Sequence, residues 1–191
     1  MSAGFARRLL RRRRAIVALA LIAVAVVAAV AAPILAPADP LQQNLADGFA
    51  KPSSAHLLGT DGLGRDLLSR LMYGGRVTLV GAGEALLVFL VLGVPIGLLA
   101  GYHRGRLDAI ATQVATVMLS VPPILLLLVV VAVFPGNQTA AMVTLGVLGA
   151  PGLFRVVRGS ALAVSQELYV RAARTMGLTS WQIVRRHVAP A

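Results

Sequence analysis

The sequence predicts an all-α, polytopic helical membrane protein. Of 191 residues, 58% are hydrophobic and only 13% are charged, against roughly 25% charged in an ordinary soluble domain. The uncharged residues also fall in long runs, over 15–38, 77–102 with Glu84 as its single charge, and 109–154. Cysteine is absent, which excludes disulfide scaffolds, thiolate metal sites and cysteine nucleophiles.

The elements follow in order. Residues 1–14 form a basic N-terminus containing six arginines. A first transmembrane helix is expected over 15–36. A signal peptide is the alternative, but this stretch exceeds the usual 7 to 15 residue apolar region of about that class, which favours a retained helix. An outer loop follows over 37–77. The core over 78–156 carries three more spans, near 78–101, 109–134 and 140–156. The 46-residue run over 109–154 would measure about 69 Å as one helix, twice the roughly 30 Å hydrocarbon core. It must therefore fold back, and Pro135, Gly136 and Asn137 supply the turn. A cytoplasmic loop over 157–191 completes the chain.

Charge sets the expected orientation. With the N-terminus inside, 14 of the 18 basic residues lie on the cytoplasmic side, leaving Lys51, Arg65, Arg70 and Arg76 outside. That asymmetry is the positive-inside pattern. It accounts for the net charge of +11 without nucleic acid, which would call for a basic face on a soluble module. No phosphate-cradling Gly-x-x-x-x-Gly-Lys-[Ser/Thr] run occurs, so ATP and Mg have no site in this chain. His56, His103 and His187 are too dispersed for a metal site, and no cofactor is expected. Glu84 is the one carboxylate within the spans, so no enzyme site is expected either.

Four segments carry information. In the outer loop, Gly59, Gly62 and Gly64 punctuate a tight turn and Asp61 is placed for an Asx-turn. Leu67, Leu68, Leu71 and Met72 then repeat on one helical face, with Asp66, Ser69 and Arg70 off it. That pattern predicts a short amphipathic outer helix. In the second span, Gly93, Gly97 and Gly101 clear one face for close helix approach, and Pro95 bends the axis. Pro95 and Pro122 are candidate gating positions. Glu84 either meets substrate in a pathway or pairs with Arg76 on the same helix face. In the tail, 166–176 reads as a helix with Ser165 as N-cap and Gly177 as C-terminal cap residue. Thr179 and Gln182 then form a capping box for a second helix whose Trp181, Val184 and Val188 share a face. Ala172, Ala173 and Gly177 offer a low-relief surface to another protein. A DNA-binding helix-turn-helix is the competitor, disfavoured by its tether to a span.

The run from Tyr169 through Arg171, Ala172, Ala173, Met176 and Gly177 to Pro190 resembles the EAA loop of binding-protein-dependent ABC importer permeases. The similarity is to the dipeptide/oligopeptide/nickel group. Gly59, Thr60, Asp61, Gly64, Arg65 and Asp66 resemble the outer-loop motif of its C-type subunit. Pro151, Arg155, Arg158 and Gly159 also fit the approach to the EAA loop. The acid that opens the family's loop motif is replaced by Arg171, so any contact made by that acid is not carried over.

The resemblance implies a type I ABC importer permease fold in the plasma (inner) membrane, with four of the family's six spans present. It implies a second permease subunit, two cytoplasmic ATPases that bind ATP and Mg, an extracytoplasmic binding protein and a peptide-like substrate. A non-transporting scaffold derived from such a permease is the rival reading.

Overall fold

A computed structural model describes residues 12–189. Among these, regular structure is helical, apart from an isolated bridge between Thr60 and Asp66. The chain divides into two compact units at Val80/Gly81.

In the first unit, α1 (Arg13–Val30) is apolar around its circumference and exposes most of it, as a lipid-facing helix does. After a break at Ala31 comes the one-turn α2 (Ala32–Leu35), with Pro33 in its first turn, where a missing N–H costs nothing. Ala29 of α1 is buried, and a Cβ on Gly75 would lie 3.2 Å from its methyl group. A 3-10 turn at Leu45–Asp47 lies in the loop that leads to α3 (Leu67–His103).

Here the structure corrects the expected short outer helix. Its residues are the opening turns of α3, which runs unbroken for 37 residues, about 55 Å. Gly74 and Gly75 do not stop it. Glycine lowers helix propensity by about 1 kcal/mol relative to alanine but does not forbid the conformation.

The second unit holds the remainder of α3 with α4 (Gly105–Ser120), α5 (Pro123–Val133), α6 (Gln138–Val164), α7 (Leu168–Thr175) and α8 (Ser180–Ile183). The expected third span over 109–134 is broken, because α4 and α5 meet at 77°. Val121 precedes Pro122 and Pro122 precedes Pro123, and both take extended backbone (ψ 129° and 120°), since a following proline excludes the α region. Asn137 caps α6 by accepting from the Ala140 N–H at 3.0 Å. The helix continues to Val164, so the first residues assigned to the cytoplasmic loop are still α6.

Glycines set how α3 and α6 pack. A Cβ on Gly93 would lie 2.8 Å from the Leu153 side chain, one on Gly97 2.8 Å from Val157 Cβ, and one on Gly101 2.8 Å from Ala161 Cβ. Gly81 likewise faces Met142, and Gly146 faces Val88. Residue numbers rise together along both helices, so the pair is parallel. A parallel pair requires the chain between them to return to its starting side, so α4 and α5 together make one crossing despite their bend. The described residues then hold four spans, the upper count that helix length and composition allow among them.

Candidate functional site

The outer-loop motif is a self-satisfied polar frame. Asp61 forms the expected Asx-turn, its Oδ1 accepting from Leu63 N–H at 2.9 Å and Arg65 N–H at 3.1 Å. Its Oδ2 accepts from Arg65 Nε at 2.8 Å and Arg70 Nη1 at 2.6 Å. Burial pushes this carboxyl up, but the Arg65 and Leu63 N–H donors and the Arg65 charge outweigh it and hold it below the ordinary aspartate range. Asp66 caps α3: Oδ2 accepts from Ser69 N–H at 2.8 Å and Oδ1 meets His56 Nδ1 at 3.1 Å. Its carboxyl too is raised by burial yet lowered on balance by the Ser69 and His56 bonds.

Thr60 Oγ1 accepts from Ala50 N–H at 2.8 Å and donates to the Asp47 carbonyl. Gly59 and Gly64 have φ of +78° and +68°, and a Cβ on Gly64 would fall inside the Asn44 carbonyl group. The amphipathic reading of this segment holds only in part, with Met72 buried and Leu68 half-buried as expected. Asp66 and Ser69 are buried while Leu67 and Leu71 are exposed, because the cap and the Ala38 N–H to Ser69 Oγ bond (3.1 Å) draw the polar face inward.

Glu84, Pro95 and Pro122 do not converge. Glu84 Oε1 accepts from Thr139 Oγ1 on α6 at 3.1 Å, rather than pairing with Arg76, and Oε2 is buried without a hydrogen-bond partner. Pro95 lies inside an unbroken α3 with its side chain exposed, and Pro122 is at the exposed α4/α5 bend. An apolar groove of about 690 Å³ separates α4 from the α3/α6 pair, lined by Leu92, Ile96, Ile110, Val114, Pro151 and Phe154 among others.

The tail segment has the expected helix, glycine turn and helix, with corrected details. Ser165 does not cap α7. It ends α6 in helical conformation with its hydroxyl on the Leu162 carbonyl, and Glu167 occupies the N-cap position of α7. Gly177 has φ +84°. Gly177 N–H donates to Arg174 O at 3.1 Å and Leu178 N–H to Ala173 O at 3.3 Å, the two bonds of a Schellman ending. The Thr179/Gln182 capping box is present.

A five-residue π-helical turn, Val184–Val188, follows α8. Its wider spacing turns Ile183, Val184 and Val188 inward and leaves Trp181 64% exposed, contrary to the expected shared face. Those three residues pack with Val170 and Ala173 onto Tyr102 of α3 and Ala161 of α6, and the Arg174 guanidinium lies 5.3 Å over the Tyr102 ring. Ala173 is thus covered by its own chain. Ala172 is half-buried, whereas Leu168, Tyr169, Arg171, Met176 and Trp181 are exposed. Pro190 lies outside the described residues.

One contact escaped sequence reasoning. Arg158 of α6 forms a bidentate pair with Asp108 of α4, Nε donating to Oδ1 and Nη2 to Oδ2 at 2.7 Å. The available signal was Asp108 itself, the one carboxylate between Glu84 and Glu167.

Residues 93–191 match the family described as the binding-protein-dependent transport system inner membrane component. Residues 2–52 match the N-terminal TM domain of oligopeptide transport permease C. The chain is 40% identical to a glutathione transport system permease protein of Pectobacterium atrosepticum over 139 residues, 73% of this chain and 46% of that protein. It is 35% identical to a dipeptide transport system permease protein of Bacillus subtilis over 185 residues, 96% and 58% of the two chains. A probable D,D-dipeptide transport system permease protein of Escherichia coli is 34% identical over 156 residues, 82% and 52%. The chain therefore spans about half the length of the curated relatives it matches.

Proposed function

Because the chain belongs to the binding-protein-dependent transport system inner membrane components, we propose that it is a membrane-spanning permease subunit of an ATP-driven ABC importer for peptides or a related small solute. It works with a second permease subunit, two cytoplasmic ATPases that bind ATP and Mg, and an extracytoplasmic binding protein. It has no catalytic role of its own. The observation that carries this reading is the tail: a core on Tyr102 and Ala161 fixes α7 and α8 to the ends of two spans, while Leu168, Tyr169, Met176 and Trp181 remain exposed. An apolar face held by a rigid base suits docking by a water-soluble ATPase, and rigid attachment lets nucleotide-driven closure reach the spans.

The N-terminus and the tail are cytoplasmic and the outer loop extracytoplasmic, in line with the arginine count. Tyr169, Arg171, Met176 and Gly177 belong to the ATPase-facing surface, with Ala172 and Ala173 beneath it. Glu84, with its unpartnered oxygen, is the pathway candidate. Pro95 and Pro122 are the bending points. The rival scaffold reading has no observation of its own.

The test is reconstitution of the full gene product with its partner subunits in proteoliposomes. ATP-dependent peptide uptake is expected, and Met176→Asp should abolish ATPase capture while leaving membrane insertion intact. Absence of uptake from a fully assembled wild-type complex overturns the proposal.

A further inference from the structure

We propose that Arg158 and Asp108 are positioning residues that pass movement of the tail helices to α4, an inference that rests on the permease reading. The α3/α6 pair behaves as one body, since Leu153, Val157 and Ala161 fill the places of absent side chains at Gly93, Gly97 and Gly101. The tail core sits on the same body through Tyr102 and Ala161. Any displacement of α7 and α8 is therefore carried by α3 and α6 together.

α4 is attached differently. It leaves α3 through Arg104 and Gly105, both left-handed (φ 56° and 69°), and a Cβ at Gly105 would meet nothing. It ends at the 77° break before α5. Much of its inner face borders the apolar groove of about 690 Å³ rather than packed side chains. Its apolar fixing to the body is a small cluster, Ala115 and Ala111 with Ala100 and Phe154.

The polar fixing is the Asp108–Arg158 pair, supported by Thr112 Oγ1 on Asp108 Oδ1 at 3.4 Å and by Arg155 Nη2 donating to Thr116 Oγ1 at 3.1 Å. Arg104 is the other cation acting on Asp108. A bidentate guanidinium–carboxylate pair fixes angle as well as distance, which a single ammonium cannot do. Arg158 also marks where the three helices meet, because a Cβ on Gly101 would lie 2.6 Å from its carbonyl oxygen. One turn further on, Ala161 enters the tail core. The pair is thus placed to make α4, and α5 beyond it, follow the α3/α6 body.

The experiment uses the full gene product assembled with its partners, comparing wild type, Asp108→Asn and Arg158→Lys. Assembly, basal ATP hydrolysis and uptake are measured, together with the distance between spin labels on Val117→Cys and Val156→Cys, these 191 residues containing no cysteine of their own. For Asp108→Asn the expected result is assembly and basal hydrolysis within about twofold of wild type, uptake reduced at least about tenfold, and a broadened α4–α6 distance. Arg158→Lys, which keeps the charge and loses the fork, should assemble and fall between the two.

Wild-type uptake and a narrow distance in both variants would overturn the proposal. So would loss of assembly in both, which would make the pair purely structural. If the wild-type complex itself takes up no substrate, the permease reading fails, and the label distances still report separately whether the pair holds α4.

Discussion

Two motif-bearing regions of this chain use their polar and apolar residues in opposite ways. In the outer loop, Thr60, Asp61, Asp66 and Ser69 turn inward and bond to neighbouring backbone or side chains, while Leu41, Leu45, Phe49 and Leu57 face out. In the tail, a small apolar core is buried under a helix pair whose outer face carries Leu168, Met176 and Trp181. The outer motif is therefore a scaffold whose named residues hold shape. The tail motif divides into residues that hold shape, such as Ala173, and residues with unfilled contact area, such as Met176. A motif residue is informative about partners only once its own chain's claims on it are known.

The most damaging way to break this comparison is at Gly64. Gly64→Val places a branched side chain on a backbone with φ +68° and into the Asn44 carbonyl group. The strain and the clash together should cost about 3 kcal/mol or more. The outer loop should become cleavable by added protease while the spans still insert. A wild-type cleavage pattern would show that the loop is not held by this contact.

Ala173→Trp is the corresponding test in the tail. A partner-facing alanine would lose only docking on enlargement, but Ala173 lies in the core with Val170 and Ile183, so overpacking should cost about 1–3 kcal/mol. Thermal unfolding of the detergent-solubilised protein should fall by several degrees. Unchanged stability with lost ATPase capture would return Ala173 to the surface.

A smaller effect is expected at Asp66, and it carries a pH signature. The folded carboxyl is held below the ordinary aspartate value of 3.8. Its contribution is therefore fully present above that value and disappears as pH falls through the lower, folded value. Asp66→Asn keeps the shape of the cap but removes its charge and should cost about 1 kcal/mol at pH 7. The gap between variant and wild type should then shrink in melts run below about pH 4. A gap that stays constant across pH 3 to 7 would mean that Asp66 acts by shape alone.

Much of this was legible in the residues, and the exceptions have particular causes. Uncharged runs locate the spans because lipid penalises charge wherever it occurs. Gly177 and the Thr179/Gln182 box were legible because their requirements are local: a left-handed backbone and two reciprocal hydrogen bonds. The face of α3 around Leu67 was misread because periodicity reports which residues share a face, and only the Asp66 cap and the Ala38–Ser69 bond decide which face turns in. Trp181 was misplaced because a π turn changes the spacing on which the expectation rested. The Asp108–Arg158 pair joins residues 50 apart in sequence, beyond the reach of any local pattern.

The sharpest test of the comparison is the substitution expected to do least to the fold. Trp181 is 64% exposed, stands outside the core formed by Ile183, Val184 and Val188, and does not take part in the Thr179/Gln182 cap. Removing its side chain should therefore leave stability within about 0.5 kcal/mol of wild type, as for other surface positions. Exposed large aromatics are also the side chains that dominate interfaces when a partner covers them. For Trp181→Ala, retention of the ATPase subunits through detergent purification should then fall about tenfold, equivalent to about 1.4 kcal/mol of docking energy. A variant that melts early would place Trp181 among the shape-holding residues. A variant with wild-type stability and wild-type retention would mean that the exposed tail face is not where the ATPase docks, and the division drawn between the two motifs would fail on its functional side.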